Sequence, residues 1–290
     1  MIWFLYSDVG VVMMRKMFFI FGSALFLLWL VPMASDGVAF LDVGQGDSIL
    51  LQSGSIQVLV DGGPGKQVAQ RLAEEMPWFD SRIELVAVTH PQRDHLEGLM
   101  EVLDRYEVGM VLLPKAAASS GLQEAWLDTL IERNIPYRFA WGGQEFSAGD
   151  IDLKVLGPFF EEGQEYIDEE DMNDASVVLR ADFNGMSFLL TGDAEKKIEK
   201  LLVERYEDSG LLDVLVLKAG HHGSKTSTSA ELLGAVTPNA VVVSAGKDNQ
   251  YGHPHEDVLA RLSGLSVWRT DLNGTVRFIW HKGQWLVSSG

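Results

Sequence analysis

The stretch Thr89-His90-Pro91-Gln92-Arg93-Asp94-His95-Leu96-Glu97-Gly98 decides how the rest of the chain is read. It follows Ile83 to Val88, a short apolar run of the buried-strand type, and precedes a helix expected from Leu96. Two imidazoles and a carboxylate on one tight strand-to-helix turn can point at a single spot, and mixed nitrogen and oxygen ligation suits divalent cations of hard or borderline character. Other polar groups recur at the same kind of place. Asp61 ends the run Ile56 to Val60, Asp193 follows Phe188 to Gly192, and His221-His222 follow Val214 to Gly220. In a sheet-based fold the C-terminal strand ends converge on one rim, so groups far apart in sequence can meet there.

Working outward, strand-like and helix-like stretches alternate with short connections from Gly37 onward. Strands are expected at Val38–Val43, Ser48–Gln52, Ile56–Val60, Met110–Leu113, Leu153–Leu156, Ser176–Asp182, Met186–Thr191, Val214–Leu217, Ala240–Ser244, Thr275–Trp280 and Trp285–Ser288. Helices are expected at Gln67–Met76, Leu122–Arg133, Ala194–Tyr206, Ala230–Val236 and Glu256–Leu262. Each half thus carries several strands followed by helix and strand alternation, which implies an α/β fold of two packed sheets with helices outside. The acid-rich, base-free segment from Glu161 to Asp174 is expected to be a solvated loop.

The chain has 290 residues, 47% hydrophobic, and no cysteine. It can fill a core, so wholesale disorder and a disulfide scaffold are excluded, as is thiolate-bound metal. Lys and Arg number 23 against 41 Asp and Glu, a formal charge of −18, so a broad basic surface for nucleic acid is absent and any polyanion must be gripped locally. Arg15-Lys16 precede an uncharged, mostly apolar run from Met17 to Ser35 that would rise roughly 28 Å as a helix at 1.5 Å per residue, close to the thickness of a bilayer core. Residues 1–36 are therefore expected to be a signal peptide or a single membrane anchor, and residues 37–290 an extracytoplasmic domain, secreted or anchored.

Several of these motifs together resemble a known family. Residues 89–98 resemble the His-x-His-x-Asp-His signature of the metallo-β-lactamase superfamily. Leu41 to Leu50, Asp61-Gly62-Gly63, Thr191-Gly192-Asp193, His221 to Thr228 and Tyr251-Gly252-His253-Pro254 are similar to the hydrolase domain of ComEC-type competence proteins. The resemblance implies an αββα sandwich with a metal site at one edge, holding one or two divalent ions, zinc or manganese. It makes His90 a ligand of one ion and Asp94 and His95 ligands of the other, with Asp193 bridging and His221 or His222 completing the second site. Gln92 stands where the superfamily has His, and no His lies between His95 and His221, so the first site is left with weaker ligands, helped by Asn173. Asp61 is expected to support the site from behind rather than bind.

The chemistry so implied is metal-assisted hydrolysis, with Asp94 also orienting the attacking water. Ser224, Lys225 and Thr226, placed before a helix expected at Ala230, are expected to contact a phosphate, and His253 to give a proton to the leaving oxygen. The ComEC-type resemblance points to a phosphodiesterase or nuclease acting on DNA, with DNA-uptake components as possible partners. The multi-span channel of those proteins has no counterpart in these residues, so a free-standing exported relative is expected. Two other readings stand beside it: an esterase for a small phosphodiester, and a silent binding module that keeps the fold with Gln92 in place of a ligand.

Overall fold

The computed structural model describes residues 36–116, 120–159 and 169–290, which lie within one compact unit, Ala34–Gly290. Apart from Asp36, the expected signal peptide or anchor lies outside the described residues. Among the described residues no helix is long and apolar enough to cross a membrane.

The first sheet contains β1 (Gly37–Phe40), β2 (Ile49–Ser53), β3 (Ile56–Val60), β4 (Arg82–Ala87), β5 (Glu107–Pro114) and β6 (Tyr137–Ala140). The closing hairpin, β14 (Val276–His281) and β15 (Gln284–Ser289), adds two strands on the far side of β1 and gives the order β15-β14-β1-β2-β3-β4-β5-β6. Strands β3 to β6 run parallel, linked by the crossover helices α1 (Gln67–Glu75), α2 (Arg93–Arg105) and α3 (Gly121–Glu132). The second sheet holds β7 (Glu145–Ala148), β8 (Ile151–Gly157), β9 (Val178–Phe183), β10 (Met186–Leu190), β11 (Val216–Lys218), β12 (Ala240–Val243) and β13 (Ser266–Arg269), in reverse chain order across the sheet. Here β10 to β13 are parallel, linked by α4 (Lys196–Tyr206), α5 (Ala230–Val236) and α6 (Glu256–Arg261).

Side-chain alternation along the strands sorts the core into three layers. Val58 and Val60 of β3 and Leu85 and Ala87 of β4 face Leu179, Ala181, Phe188 and Leu190 of the second sheet. Their neighbours Leu59 and Val86 pack under α1 and α2 with Leu72 and Leu99. Leu189, Leu217 and Val241 pack under α4 and α5 with Leu202 and Leu232. That is helix, sheet, sheet, helix, the αββα arrangement the family resemblance implies.

Three strands were not expected from sequence, and each is a sheet edge: β6 closes one side of the first sheet, and β7 and β13 close both sides of the second. Only four residues apiece and largely uncovered, they lack the apolar run that marks the central strands. Helix α2 begins at Arg93, earlier than expected, because Gln92 is its extended N-cap residue, so Asp94 and His95 sit in the first helical turn. The acidic segment ends in a 3₁₀ turn, Glu169–Ala175, rather than in a loop throughout.

Candidate metal centre

The C-terminal ends of β3, β4, β10, β11 and β12 meet at one rim, and the side chains that follow them converge there. The His95 and His90 rings lie with centroids 4.1 Å apart, tilted by 51°, and His222 lies 5.2 Å from His95. Asp193 sits among them: its Oδ1 is 3.4 Å from His95 Nε2, and its Oδ2 is 3.4 Å from His222 Nε2 and 3.8 Å from His90 Nε2. Asp94 Oδ2 approaches His222 Nε2 to 3.4 Å.

The outer nitrogens of these rings are occupied. His222 Nδ1 lies 3.0 Å from the Ser244 carbonyl oxygen, which can only accept, so Nδ1 carries the hydrogen and Nε2 presents its lone pair inward. His95 Nδ1 lies 2.9 Å from Asp61 Oδ2, and the same carboxylate accepts from the Thr89 hydroxyl (2.7 Å) and the Thr89 amide (2.8 Å). Inward, nothing answers them. His90 Nε2, His95 Nε2, His222 Nε2 and both carboxylate oxygens of Asp193 are buried with no hydrogen-bond partner among the described residues. Buried polar atoms left unpaired cost about 1–3 kcal/mol each, so five facing one point is the signature of a site built for a cation. Asp94, His95, Asp193 and His222 can each offer one donor atom, all within 4.8 Å of one another, a two-nitrogen, two-oxygen set that fits zinc or manganese.

Backbone devices hold these groups. Gly62 donates its amide to His95 O (2.7 Å), and Gly98 donates to Gly63 O (2.9 Å), so the Asp61-Gly62-Gly63 turn lies flush on α2. A Cβ on Gly98 would come within 2.0 Å of the Gly62 carbonyl oxygen, so this approach requires glycine. His221 and His222 both adopt left-handed backbone, φ 44° and 53°, which costs an L-residue roughly 1–2 kcal/mol each and turns the two rings in different directions.

The electrostatics follow from burial against opposite charge. Burial pushes His90 down to about 3, with the neighbouring His95 adding to the effect. Burial acts against the charge of His95 as well, but Asp193 and Asp61 raise it to about 10. Asp94, which burial would raise, is held at about 2 by His222 and His95. For Asp193 the same two histidines outweigh burial and hold its carboxyl well below the usual range.

The remaining expected residues are placed differently. His221 Nε2 is 3.7 Å from Asp193 Oδ2, but its Nδ1 lies 2.9 Å from Glu195 Oε1. Gln92 Nε2 donates to Asn173 Oδ1 (3.0 Å), and Asn173 Nδ2 donates to Glu195 Oε1 (3.2 Å). Gln92, Asn173, Glu195 and His221 thus form one hydrogen-bonded chain beside His90, where the first ion was expected. Of the histidine doublet, His222 joins the four-donor cluster.

Ser224, Lys225 and Thr226 lie four to six residues before helix α5. Helix α5 starts at Ala230 with Ser229 as its cap, and the buried Glu199 carboxylate already accepts from the Thr228 and Ser229 amides. The Ser224 and Thr226 hydroxyls bond each other at 2.9 Å, and Lys225 is exposed. His253 stacks on Tyr251 (5.8 Å) and meets His221 edge-on (5.7 Å). Burial, with the charges of His222 and His221 adding to it, lowers it to about 4.

Three functional side chains escaped the sequence reading. Lys218, wholly buried at the end of β11, points into the space between the sheets, where its Nζ pairs with Asp47 (2.5 Å) and donates to Gly192 O (2.9 Å), 3.8 Å from Asp193. A lysine ending an apolar strand looks solvated in sequence, and only the alternation after Val216 and Leu217 signals its inward course. Asp47 closes the Gly44-Gln45-Gly46-Asp47 turn between β1 and β2, and its cation partner lies far along the chain. Asn249 clasps the 246–253 loop, accepting from the Tyr251 and His253 amides and donating to the Gly246 and His253 carbonyls. Beside Asp94 a cleft of about 450 Å³ opens between Gln45, Pro64, Arg93, Asn249 and Tyr251.

Comparison with known proteins agrees with this geometry. The family model described as metallo-beta-lactamase superfamily matches residues 41–247. ComE operon protein 3 of Bacillus subtilis is 32% identical over 280 residues, covering 88% of this chain and 35% of its own length. Competence protein ComA of Neisseria gonorrhoeae is 31% identical over 254 residues, covering 86% and 33% respectively. The chain therefore spans about a third of the length of these relatives. CmlA, a diiron β-hydroxylase from Streptomyces venezuelae, shares the fold, with a TM-score of 0.55 at 19% identity over 85% of this chain and 54% of that one. Two sheets in this order, a carboxylate and imidazole cluster on their common rim, and the family match over most of the compact unit lead to one statement: the chain belongs to the metallo-β-lactamase superfamily and is related to the ComEC-type competence proteins.

Proposed function

We propose that the protein is a metal-dependent phosphodiesterase acting on DNA or its fragments outside the cytoplasmic membrane. The observation that carries the hydrolase reading is the set of five unpaired, buried donor atoms on His90, His95, His222 and Asp193. Asp94, His95, Asp193 and His222 would hold the ion. Such an ion, when bound, neutralises charge on the phosphate and makes water a nucleophile near neutral pH.

The chain's own residues do the positioning. Asp61 and the Ser244 carbonyl fix the tautomers of His95 and His222, so both present Nε2. Lys218 and Asp47 place a compensated charge pair behind Asp193. Glu195 holds His221 beside Asp193, where its ring can order a phosphate oxygen or a water.

DNA as substrate is supported by the names of the competence relatives and by the rim. Tyr251, 61% exposed, lines the cleft with an aromatic ring, and base stacking on such a ring does not require a basic surface. Arg93 at the same cleft supplies a cation, shared with Glu97. With a net charge of −18, the structure suits capture of short or single-stranded ends over gripping a duplex.

The test is metal content by elemental analysis together with hydrolysis of single-stranded DNA and of a chromogenic phosphocholine ester, with Mn²⁺ or Zn²⁺. Asp193→Ala is expected to lose both metal and activity. Cleavage of the ester alone would move the substrate to small phosphodiesters. A metal-saturated protein that cleaves neither, with Gln92 committed to Asn173, would be the silent binding module.

A further inference from the structure

The first sheet has two ends, and the metal centre uses one. Strands β3 to β6 are parallel, so Asp61 and His90 lie at their C-terminal ends, and the connections entering β4, β5 and β6 lie at the opposite edge. Large apolar side chains are exposed along that opposite edge. Trp78 (83% exposed) and Phe79 (60%) stand edge to face at 5.6 Å in the connection entering β4. Ile131 (60%) ends α3, and Tyr137 (39%) opens β6. Trp78 is the most exposed large hydrophobic among the described residues.

The described chain begins at this same edge. Strand β1 is antiparallel to β2, which is antiparallel to β3, so β1 and β3 point the same way and Gly37 starts at the edge where Trp78 and Tyr137 lie. The uncharged run from Met17 to Ser35 ends two residues before Gly37, a reach of at most about 7 Å at 3.6 Å per residue. Several ionic groups along the edge are paired. Arg82 pairs with Glu84 and Glu107, and Arg133 with Asp104. Tryptophan and tyrosine favour the headgroup level of a bilayer, and a neutral patch seats there without needing anionic lipid, which a chain of charge −18 would be repelled by.

We propose that this edge rests on the surface of a lipid bilayer through Trp78, Phe79, Ile131 and Tyr137, and so aims the metal centre away from the membrane. The inference rests on reading Met17 to Ser35 as a retained anchor. The six residues of β4, at about 3.3 Å each, set the centre roughly 20 Å above the lipid surface. The anchor and the aromatic patch together define one orientation, with the cleft open to water.

Because the chain has no cysteine, single introduced thiols report this directly. The full chain is placed in phosphatidylcholine nanodiscs and spin-labelled at Phe79→Cys, Tyr137→Cys, Gln250→Cys on the opposite rim, or Leu27→Cys within the apolar run. Oxygen and a water-soluble nickel chelate serve as relaxation agents. The expected result is nickel access several-fold lower at positions 79 and 137 than at 250, with oxygen access higher. Labels at 79 and 137 as open to nickel as the label at 250, while position 27 is lipid-immersed, would overturn the docked edge and leave the anchor standing. An aqueous label at position 27 would overturn both. Neither outcome bears on metal-dependent hydrolysis, which is assayed separately.

Discussion

Replacing Asp61 by Asn tests how the centre is held. All three partners of this carboxylate are donors: the Thr89 amide at 2.8 Å, the Thr89 hydroxyl at 2.7 Å and His95 Nδ1 at 2.9 Å. An asparagine must turn its NH₂ toward at least one of them. One buried donor then faces another, at a cost of about 1–3 kcal/mol in folding. His95 also loses the anion that fixes its tautomer, and loss of such an orienting partner weakens a metal site by about 10–100-fold, or about 1.4–2.7 kcal/mol. Thermal unfolding without ion and at a fixed excess of Zn²⁺ or Mn²⁺ separates the two effects. The apo Tm should fall, and the rise in Tm on adding metal should shrink by roughly 3–10 °C relative to wild type. A variant with a lowered apo Tm but an undiminished metal-induced rise would refute the reasoning, because Asp61 would then serve only the fold.

Further outcomes follow from other side chains. Lys218→Met strands the buried Asp47 carboxylate and should cost about 3–5 kcal/mol in urea unfolding, with Asp47→Asn added to the same chain recovering part of that loss. Tyr251→Ala should weaken single-stranded DNA binding by about 1–3 kcal/mol, measured by anisotropy, without changing metal content. Glu199 is raised by burial, against the pull of the Ser229 and Thr228 donors. A carboxyl raised on folding adds stability below its unfolded pKa and loses it as pH climbs through the folded one. The Tm of wild type minus that of Glu199→Gln should therefore fall between pH 4 and pH 7, and a difference that grew with pH would reverse the assignment.

The central strands were readable because both their faces are buried. Ile56 to Val60 and Met186 to Leu190 alternate between two apolar layers and carry few polar residues to blur the pattern. The edge strands β6 and β7 have exposed faces, and their sequences resemble the turns around them. The same division runs through the centre. His90, Asp94, His95 and Asp193 announce themselves because ionisable residues cluster at the ends of apolar runs. Lys218, Asp47 and Asn249 each need a partner far away in the chain to acquire meaning, and that pairing is a property of the sandwich rather than of any local stretch. The doublet His221-His222 was ambiguous for a related reason. Two neighbouring imidazoles differ only through their backbone angles and through what stands behind each ring, Glu195 for one and the Ser244 carbonyl for the other.

The donors around Asp193 come from both halves of the sandwich: Asp94 and His95 ride on the first sheet and its helix, Asp193 and His222 on loops of the second. An ion seated there rivets two layers that otherwise cohere through apolar side chains and a few polar links such as Lys218 with Asp47. Removing it with a strong chelator should therefore loosen the union of the two layers, and the unfolding rate of the whole domain should rise.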